Sequence, residues 1–488
     1  MVPTGWEREG DELVLRFNVM QGPGQVPLEP GRWQLVAVSG AGGRTVPVRA
    51  TGGSLDPSVV DATFALGSTD FTVRPRLDQG SGSMSLDVRV SATSDERADT
   101  ATTSPAQQAL SPLNVARVGA FGVLFLVFRV LIRRNGRRIL FSSDSRAELG
   151  GNLKMVYDRM VERGIDQEYE LLTLFKDGIA TRRSFRDRFR LPWLLARVDV
   201  IVIDDYQPVI YRVDDPGIRI VQLWHAVGAF KTVGYSRVGK PGAPNPYGKV
   251  HKNYTCATVS SHADIPVYAE AFGIPESRVI PTGVPRVDRF FDPAYRAAAR
   301  AAALEAVPAA RDRFTILFAP TFRGHGARTA TYDLGMLDYP ALHAVCVEKD
   351  AVCIVRMHPF VADPLAIPDH LTDRLIDGSA VPLDVNDLMF AVDLLITDYS
   401  SVVFEFSTLG RPMLFFAYDL EEYVASRDFY EPYESFVPGR IVRTFDELLE
   451  AIRRDDYQIE KVDAFAHRHF DHLDGGSTDR VIDLILAR

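Results

Sequence analysis

Three kinds of hydrophobic pattern follow one another along the 488-residue chain. In the first, apolar and polar residues alternate in short runs, Leu13-Val14-Leu15-Arg16-Phe17, Trp33 to Val38 and Met84 to Val90, with Gly/Pro clusters between them. A period of two marks strands with one buried face, so residues 1–92 are predicted to form a small, sandwich-like antiparallel β domain. It holds no cluster of catalytic residue types, which favours a structural or binding role. Residues 93–113, rich in Ser, Thr, Ala and Asp and without periodicity, are read as a linker.

The second pattern, over residues 114–137, is an unbroken apolar run from Val118 to Phe128, extended by Val130, Leu131 and Ile132 and flanked by Arg117, Arg133, Arg134, Arg137 and Arg138. It falls short of the roughly 20 apolar residues of a spanning helix. Two readings stand side by side: a helix lying in an anionic membrane interface, and a buried helix or strand with basic ends. Phe185, Phe189 and Trp193 recur every four residues among arginines, which places them on one helical face. Pro192 interrupts that pattern. It is read as core packing, with membrane contact as the alternative.

In the third pattern strand-like and helix-like segments alternate. Ile139-Leu140-Phe141, Asn152 to Arg163, Tyr169 to Leu172, Val198 to Ile203 and Ile220 to His225 give the βαβ rhythm of a parallel sheet, and so do Phe314 to Phe318, Val352 to Val355, Asp393 to Thr397 and Pro412 to Phe416. The prediction is α/β, with Rossmann-like domains over 138–295 and 296–488 and an alanine-rich helix, Tyr295 to Ala310, near the hinge.

Composition narrows the chemistry. A net charge of −9 argues against nucleic-acid binding, which needs a basic face. Cys256, Cys346 and Cys353 lack C-x-x-C spacing and fit reduced thiols better than a zinc site, so no metal and no cofactor are expected. Met1 to Thr51 contains no charged n-region followed by an apolar core, so an intracellular protein is expected. The G-x-G-x-x-G, Walker A and H-E-x-x-H motifs are all missing, which removes the usual support for dinucleotide oxidoreductases, P-loop NTPases and zinc proteases.

Ligands of open α/β sheets bind beyond the carboxyl ends of the strands. His225 and His358 stand at two such ends, more than a hundred residues apart, and predict one cleft between two domains. His225 precedes the small-residue turn Ala226-Val227-Gly228-Ala229, which admits close approach of another segment, and an imidazole is a side chain suited to act as base on a hydroxyl. Arg356 shares strand parity with His358. Ser400 and Ser401 lie where a strand gives way to a helix, either as an anion site or as plain caps. Arg323 is either a phosphate fork or a loop arginine in a salt bridge.

Read together, Gln222 to Lys231, Gly283 to Asp288, Phe318 to Arg323, Arg356-Met357-His358-Pro359 and Ile396 to Val402 resemble, in order, the signature series of the CDP-glycerol glycerophosphotransferase family, the teichoic acid primases and polymerases. Arg427 to Tyr430, Pro438-Gly439 and Asp474 to Ser477 continue the series. The resemblance implies a GT-B fold and a peripheral enzyme at the cytoplasmic face of the membrane. The implied reaction is attack of an acceptor hydroxyl on the glycerol-side phosphate of CDP-glycerol with release of CMP. The acceptor would be a lipid-linked polyprenyl-diphosphate glycan or a poly(glycerol phosphate) chain, and self-association is left open. By position His225 is implied as the base and His358 as the group that stabilises or protonates the phosphates. Thr321, Arg323, Arg356, Asp398, Ser400 and Ser401 are implied to bind the donor. A CDP-ribitol donor, and a GT-B enzyme using a nucleotide sugar, are the alternatives. Two departures are visible: Ala226 to Ala229 replaces the family's Gly-Thr-Pro-Leu, and Glu405 stands where an aspartate is common.

Overall fold

The computed structural model describes residues 2–9, 12–19, 31–37, 44–51, 54–55, 62–66, 69–77, 84–92 and 112–487, except 177, 179–182, 184–185, 214, 239–243, 246–247, 325–328 and 428. Met1–Ser111 with Asp419–Asp428 make up one unit, and Pro112–Tyr418 with Phe429–Arg488 the other. In the first unit Val2–Glu9, Glu12–Val19, Met84–Ala92, Thr69–Leu77 and Ala62–Leu66 pair in that order, all antiparallel. Gly31–Ala37, Arg44–Thr51 and Ser54–Leu55 form a second antiparallel sheet. Of the expected linker, residues 93–111 lie outside the described ones, and Pro112 already begins a helix.

The second unit contains two parallel six-stranded sheets. In the first, the order is Glu170–Phe175, Arg138–Ser143, Val200–Ile203, Arg219–Gln222, Cys256–Thr258 and Val279–Ile280. Its central strands, Arg138–Ser143, Val200–Ile203, Arg219–Gln222 and Cys256–Thr258, are buried on both faces, whereas the edge strand Glu170–Phe175 is partly exposed. Period two divides their side chains between two cores: Leu140, Ile201, Ile203 and Ile220 face one, and Ile139, Phe141, Val200, Val202 and Val221 the other. In the second sheet, the order is Leu375–Asp377, Ala351–Val355, Phe314–Phe318, Leu394–Thr397, Met413–Phe416 and Arg440–Val442. Numbered along the chain this is 3-2-1-4-5-6, so the order reverses between Phe314–Phe318 and Leu394–Thr397. A crevice for ligand is expected at that point.

The helix near the hinge spans Pro293–Ala306, started by Asp292, whose carboxylate accepts from the backbone N–H groups of Ala294 (2.8 Å) and Tyr295 (3.3 Å). The chain does not finish with the second sheet. Its last helix, Ser477–Leu486, crosses back and buries Val481, Ile482 and Ile485 against Ile139, Phe141 and Leu153 of the first core.

The apolar run forms the helix Pro112–Leu131, which packs on Asp187–Arg197 through Phe125 and the partly buried Phe121 and Phe128. Its other side faces outward, with Val130 85% and Leu131 74% exposed. Among the described residues no helix is long and apolar enough to cross a membrane. Asp187–Arg197 runs through Pro192, carried by burial of Leu191, Leu194 and Leu195. Of the aromatic series read as core, Phe189 is 51% and Trp193 38% exposed, whereas Phe185 lies outside the described residues. The core reading fails for Phe189 and Trp193 because the leucines, not the aromatics, occupy the buried face.

Candidate active site

The turn after Arg219–Gln222 is fixed by side chains before it does any chemistry. Gln222 Oε1 accepts the Trp224 N–H at 2.8 Å, and Gln222 Nε2 donates to the Tyr254 hydroxyl (3.0 Å) and to the Asp205 carbonyl (3.2 Å). Trp224 takes the left-handed conformation, φ 53°, uncommon for a bulky residue, and Asn152 Nδ2 holds its carbonyl at 2.7 Å. His225 follows, half-exposed, with its ring 4.4 Å from that of Trp224. Its Nδ1 lies 3.5 Å from Asp205 Oδ1, and Arg286 Nη1 donates to its carbonyl. An acid on Nδ1 leaves Nε2 free for a substrate proton.

The small residues beyond His225 admit a neighbour, as the sequence predicts. Gly228, φ +63°, lies so close to Phe404 that a Cβ there would stand 2.2 Å from its ring. Phe230 stacks on Phe429 (4.7 Å) and Phe436 (4.6 Å), and the Tyr430 N–H donates to the Phe230 carbonyl at 3.1 Å. The loop belongs to the first half of the unit by sequence and rests on the second.

At the switch point of the second sheet, Asp398 is buried and fully engaged. Its Oδ1 accepts from the N–H groups of Thr321 (2.7 Å) and Tyr399 (2.5 Å), and its Oδ2 from Arg323 Nη1 (2.9 Å). Arg323 also lies over the rings of Tyr399, Tyr332 and Tyr418 at 5.0 to 5.5 Å. Asp398 and Arg323 therefore neutralise each other and shape the crevice floor. Thr321 Oγ1 is buried there without a hydrogen-bond partner among the described residues. Ser401 stands at the N-cap of Val402–Ser407, and Ser400 Oγ lies 3.4 Å from the Val402 N–H. Neither hydroxyl is tightly capped, which leaves both as donors at the crevice.

His358 follows Ala351–Val355, the neighbouring strand, with its ring 4.7 Å from that of Phe322. Its Nδ1 accepts the Phe360 N–H at 3.1 Å, so the neutral ring carries its proton on Nε2. Burial, reinforced by the Lys231 ammonium from the first half, holds its pKa below the ordinary imidazole value. A cavity of about 370 Å³ opens beside it, lined by Met357, His358, Val361, Leu365, Asp377 and Ser379 among others. Arg356 does not extend freely into that space: it donates to the carbonyls of Gly378 (2.7 Å), Val381 (3.1 Å) and Leu383 (2.6 Å) and so braces the wall.

Asp205, Lys231, Arg286 and Phe322 were not singled out by the sequence as site residues. Asp205 carries a retrievable signal, since it lies at the end of Val200–Ile203 as His225 lies at the end of the next strand. The first sheet thus presents an imidazole near a carboxylate at its strand ends, and the second presents hydroxyls and an imidazole N–H at its own.

The profile of the CDP-glycerol:poly(glycerophosphate) glycerophosphotransferase family matches residues 124–487. The ribitol-phosphate polymerases TarK and TarL of Staphylococcus aureus are 47% and 46% identical to this chain over 75% and 74% of it, and it spans 72% and 64% of their lengths. A teichoic acid glycerol-phosphate primase of Bacillus subtilis is 30% identical over 55% of this chain and 68% of its own length. The structure of the wall teichoic acid polymerase TagF superposes with a TM-score of 0.60 at 22% identity, over 76% of this chain and 94% of that one, a likeness of fold. From residue 124 to residue 487 the chain belongs to the CDP-glycerol:poly(glycerophosphate) glycerophosphotransferase family.

Proposed function

We propose that this chain transfers ribitol phosphate from CDP-ribitol to a hydroxyl of a growing teichoic acid chain, releasing CMP. The observation that carries the donor is the contrast between relatives: those named for ribitol phosphate reach 47% identity, and the glycerol-phosphate primase 30%. The acceptor hydroxyl attacks the alditol-side phosphorus and gives its proton to His225 Nε2. The bond from that phosphorus to the bridging oxygen breaks, and CMP leaves with the electron pair. His358 Nε2–H, Lys231, Thr321 Oγ1, Ser400 and Ser401 face the charge that develops on the phosphates. Asp398, Arg323 and Arg356 build the crevice that receives them. The transfer uses side chains of this chain, the donor and the acceptor, within two halves arranged as in a GT-B enzyme.

Glycerol transfer is the second reading, favoured by the description of the family as a whole. Initial rates of CMP release from CDP-ribitol and CDP-glycerol, each with a lipid-linked poly(glycerol phosphate) primer, separate the two. A kcat/KM for CDP-ribitol at least tenfold higher is expected. The reverse ratio selects glycerol, and no release from either donor by folded protein overturns the transferase reading.

We place the reaction at an anionic membrane surface. The outward side of Pro112–Leu131, with Val123, Leu126, Val127, Val130 and Leu131, together with Phe189, Trp193, Arg133 and Arg190, supplies the apolar body and basic flank of an interfacial helix pair. The small β sheets at the N-terminus are proposed as a binding module.

A further inference from the structure

One side chain touches both the turn that carries His225 and the helix that follows Ser400 and Ser401. Arg286 lies just beyond Gly283, where the chain leaves the first sheet. Its Nη1 donates to the His225 carbonyl, while its Nε (3.1 Å) and Nη2 donate to Glu405 Oε1 on the helix Val402–Ser407. Its own backbone N–H donates to Asn152 Oδ1 at 3.0 Å, and the amide of that asparagine holds the Trp224 carbonyl. The carbonyls of Trp224 and His225 thus accept from Asn152 and Arg286, and the Arg286 link continues to Glu405 on the opposite half of the unit.

Glu405 is an unusual choice for its place. It is 2% exposed, and its Oε2 has no hydrogen-bond partner among the described residues. A buried ion pair adds little stability over a well-packed apolar pair, and a lone buried carboxylate oxygen is unfavourable. What the pair does supply is geometry. The planar guanidinium fork fixes two directions at once, one toward a carboxylate and one toward a carbonyl, which an ammonium on a flexible stem does not. The preceding residue on the helix, Phe404, is the one packed against Gly228, so helix and loop meet at adjacent positions.

We infer that the Arg286–Glu405 pair is a positioning device that sets the His225 turn in register with the donor-side hydroxyls across the cleft. It acts through the His225 backbone and touches neither the imidazole nor substrate; the inference rests on the reading of His225 as the base. A displacement of about 1 Å at such a turn can lower a rate 10²-fold without changing donor binding.

The test uses the full chain with Glu405→Gln and the double variant Arg286→Gln/Glu405→Gln, which leaves no unpaired buried charge. Each is expected to lower kcat for CMP release 10- to 100-fold with the KM for donor within twofold of wild type. Glu405→Asp, which keeps the carboxylate, recovers part of that rate. Hydrogen exchange of the peptide spanning 222–232 accelerates in both neutral variants while exchange in the strands of the second sheet stays unchanged. Wild-type kcat in the double variant, or unchanged exchange at 222–232, overturns the inference. So does a loss of rate, donor affinity and melting temperature in proportion. If wild-type protein releases no CMP from either donor the transferase reading fails, and the exchange measurement alone then decides whether the pair holds the turn.

Discussion

Asp205 Oδ1 lies 3.5 Å from His225 Nδ1, on the side of the ring away from the free Nε2. The contact is long for a hydrogen bond, as catalytic contacts without substrate often are. Replacing Asp205 with Asn keeps the shape and removes the charge that would stabilise the imidazolium. We expect kcat to fall by about 10²-fold, a typical share for general-base assistance, and His225→Ala to fall further. Rates at saturating donor check this. A wild-type kcat in Asp205→Asn would detach the carboxylate from catalysis.

Gly228 is the second sensitive point on the same loop. Alanine there meets both the left-handed φ of +63° and the Phe404 ring. Gly228→Ala should cost about 2–4 kcal/mol from backbone strain and overpacking together. Thermal melts of Gly228→Ala and of Gly228→Ala/Phe404→Leu test the cause: the second change should recover part of the loss by relieving the clash but not the strain.

Arg323 and Asp398, both expected at the donor site, are paired with each other. Arg323→Ala leaves Asp398 buried and unpaired, and should destabilise the fold by about 3–5 kcal/mol. Ser400→Ala, at a half-buried position whose hydroxyl makes only a long contact to the Val402 N–H, should leave stability within about 0.5 kcal/mol and raise the KM for donor. Urea titration beside donor saturation curves distinguishes these outcomes.

Two buried histidines set an acid limit. Burial lowers His251 and His469 to about 4, so the unfolded chain takes up protons near pH 6.5 that the native state refuses. Stability is therefore full above pH 6.5 and lost as pH falls toward 4, by up to about 3 kcal/mol for each histidine. Asp264, raised by burial to about 6, works the other way between pH 4 and 6. Melting temperature against pH should fall across this window, and His469→Phe, which suits its cage of Phe404, Phe436 and Phe465, should flatten the fall.

The outward face of Pro112–Leu131 yields a separate expectation. Val130→Glu/Leu131→Glu alters exposed positions, so melting should hold while co-sedimentation with anionic vesicles drops severalfold. Unchanged sedimentation would leave that face without a membrane role.

The sequence by itself determined the parts whose causes are local. Continuous apolar runs such as Val200–Ile203, Ala351–Val355 and Met413–Phe416 set the central strands of both parallel sheets, because burial on both faces admits little else. Both histidines stand at strand ends, and small residues at 226–229 mark a close approach that Phe404 fills. Tertiary structure decided what depends on partners distant in the chain. Residue type marks Arg323 and Arg356 as anion-binding groups, but their partners within the fold, Asp398 for one and three backbone carbonyls for the other, follow from tertiary contacts alone. The return of Ser477–Leu486 to the first core, the Asp205 carboxylate behind His225 and the Arg286–Glu405 link all join residues whose separation along the chain carries no periodic signal. Pairing of neighbouring strands in the first sheet brings Asp205 to His225, and packing between the two halves brings the other partners together.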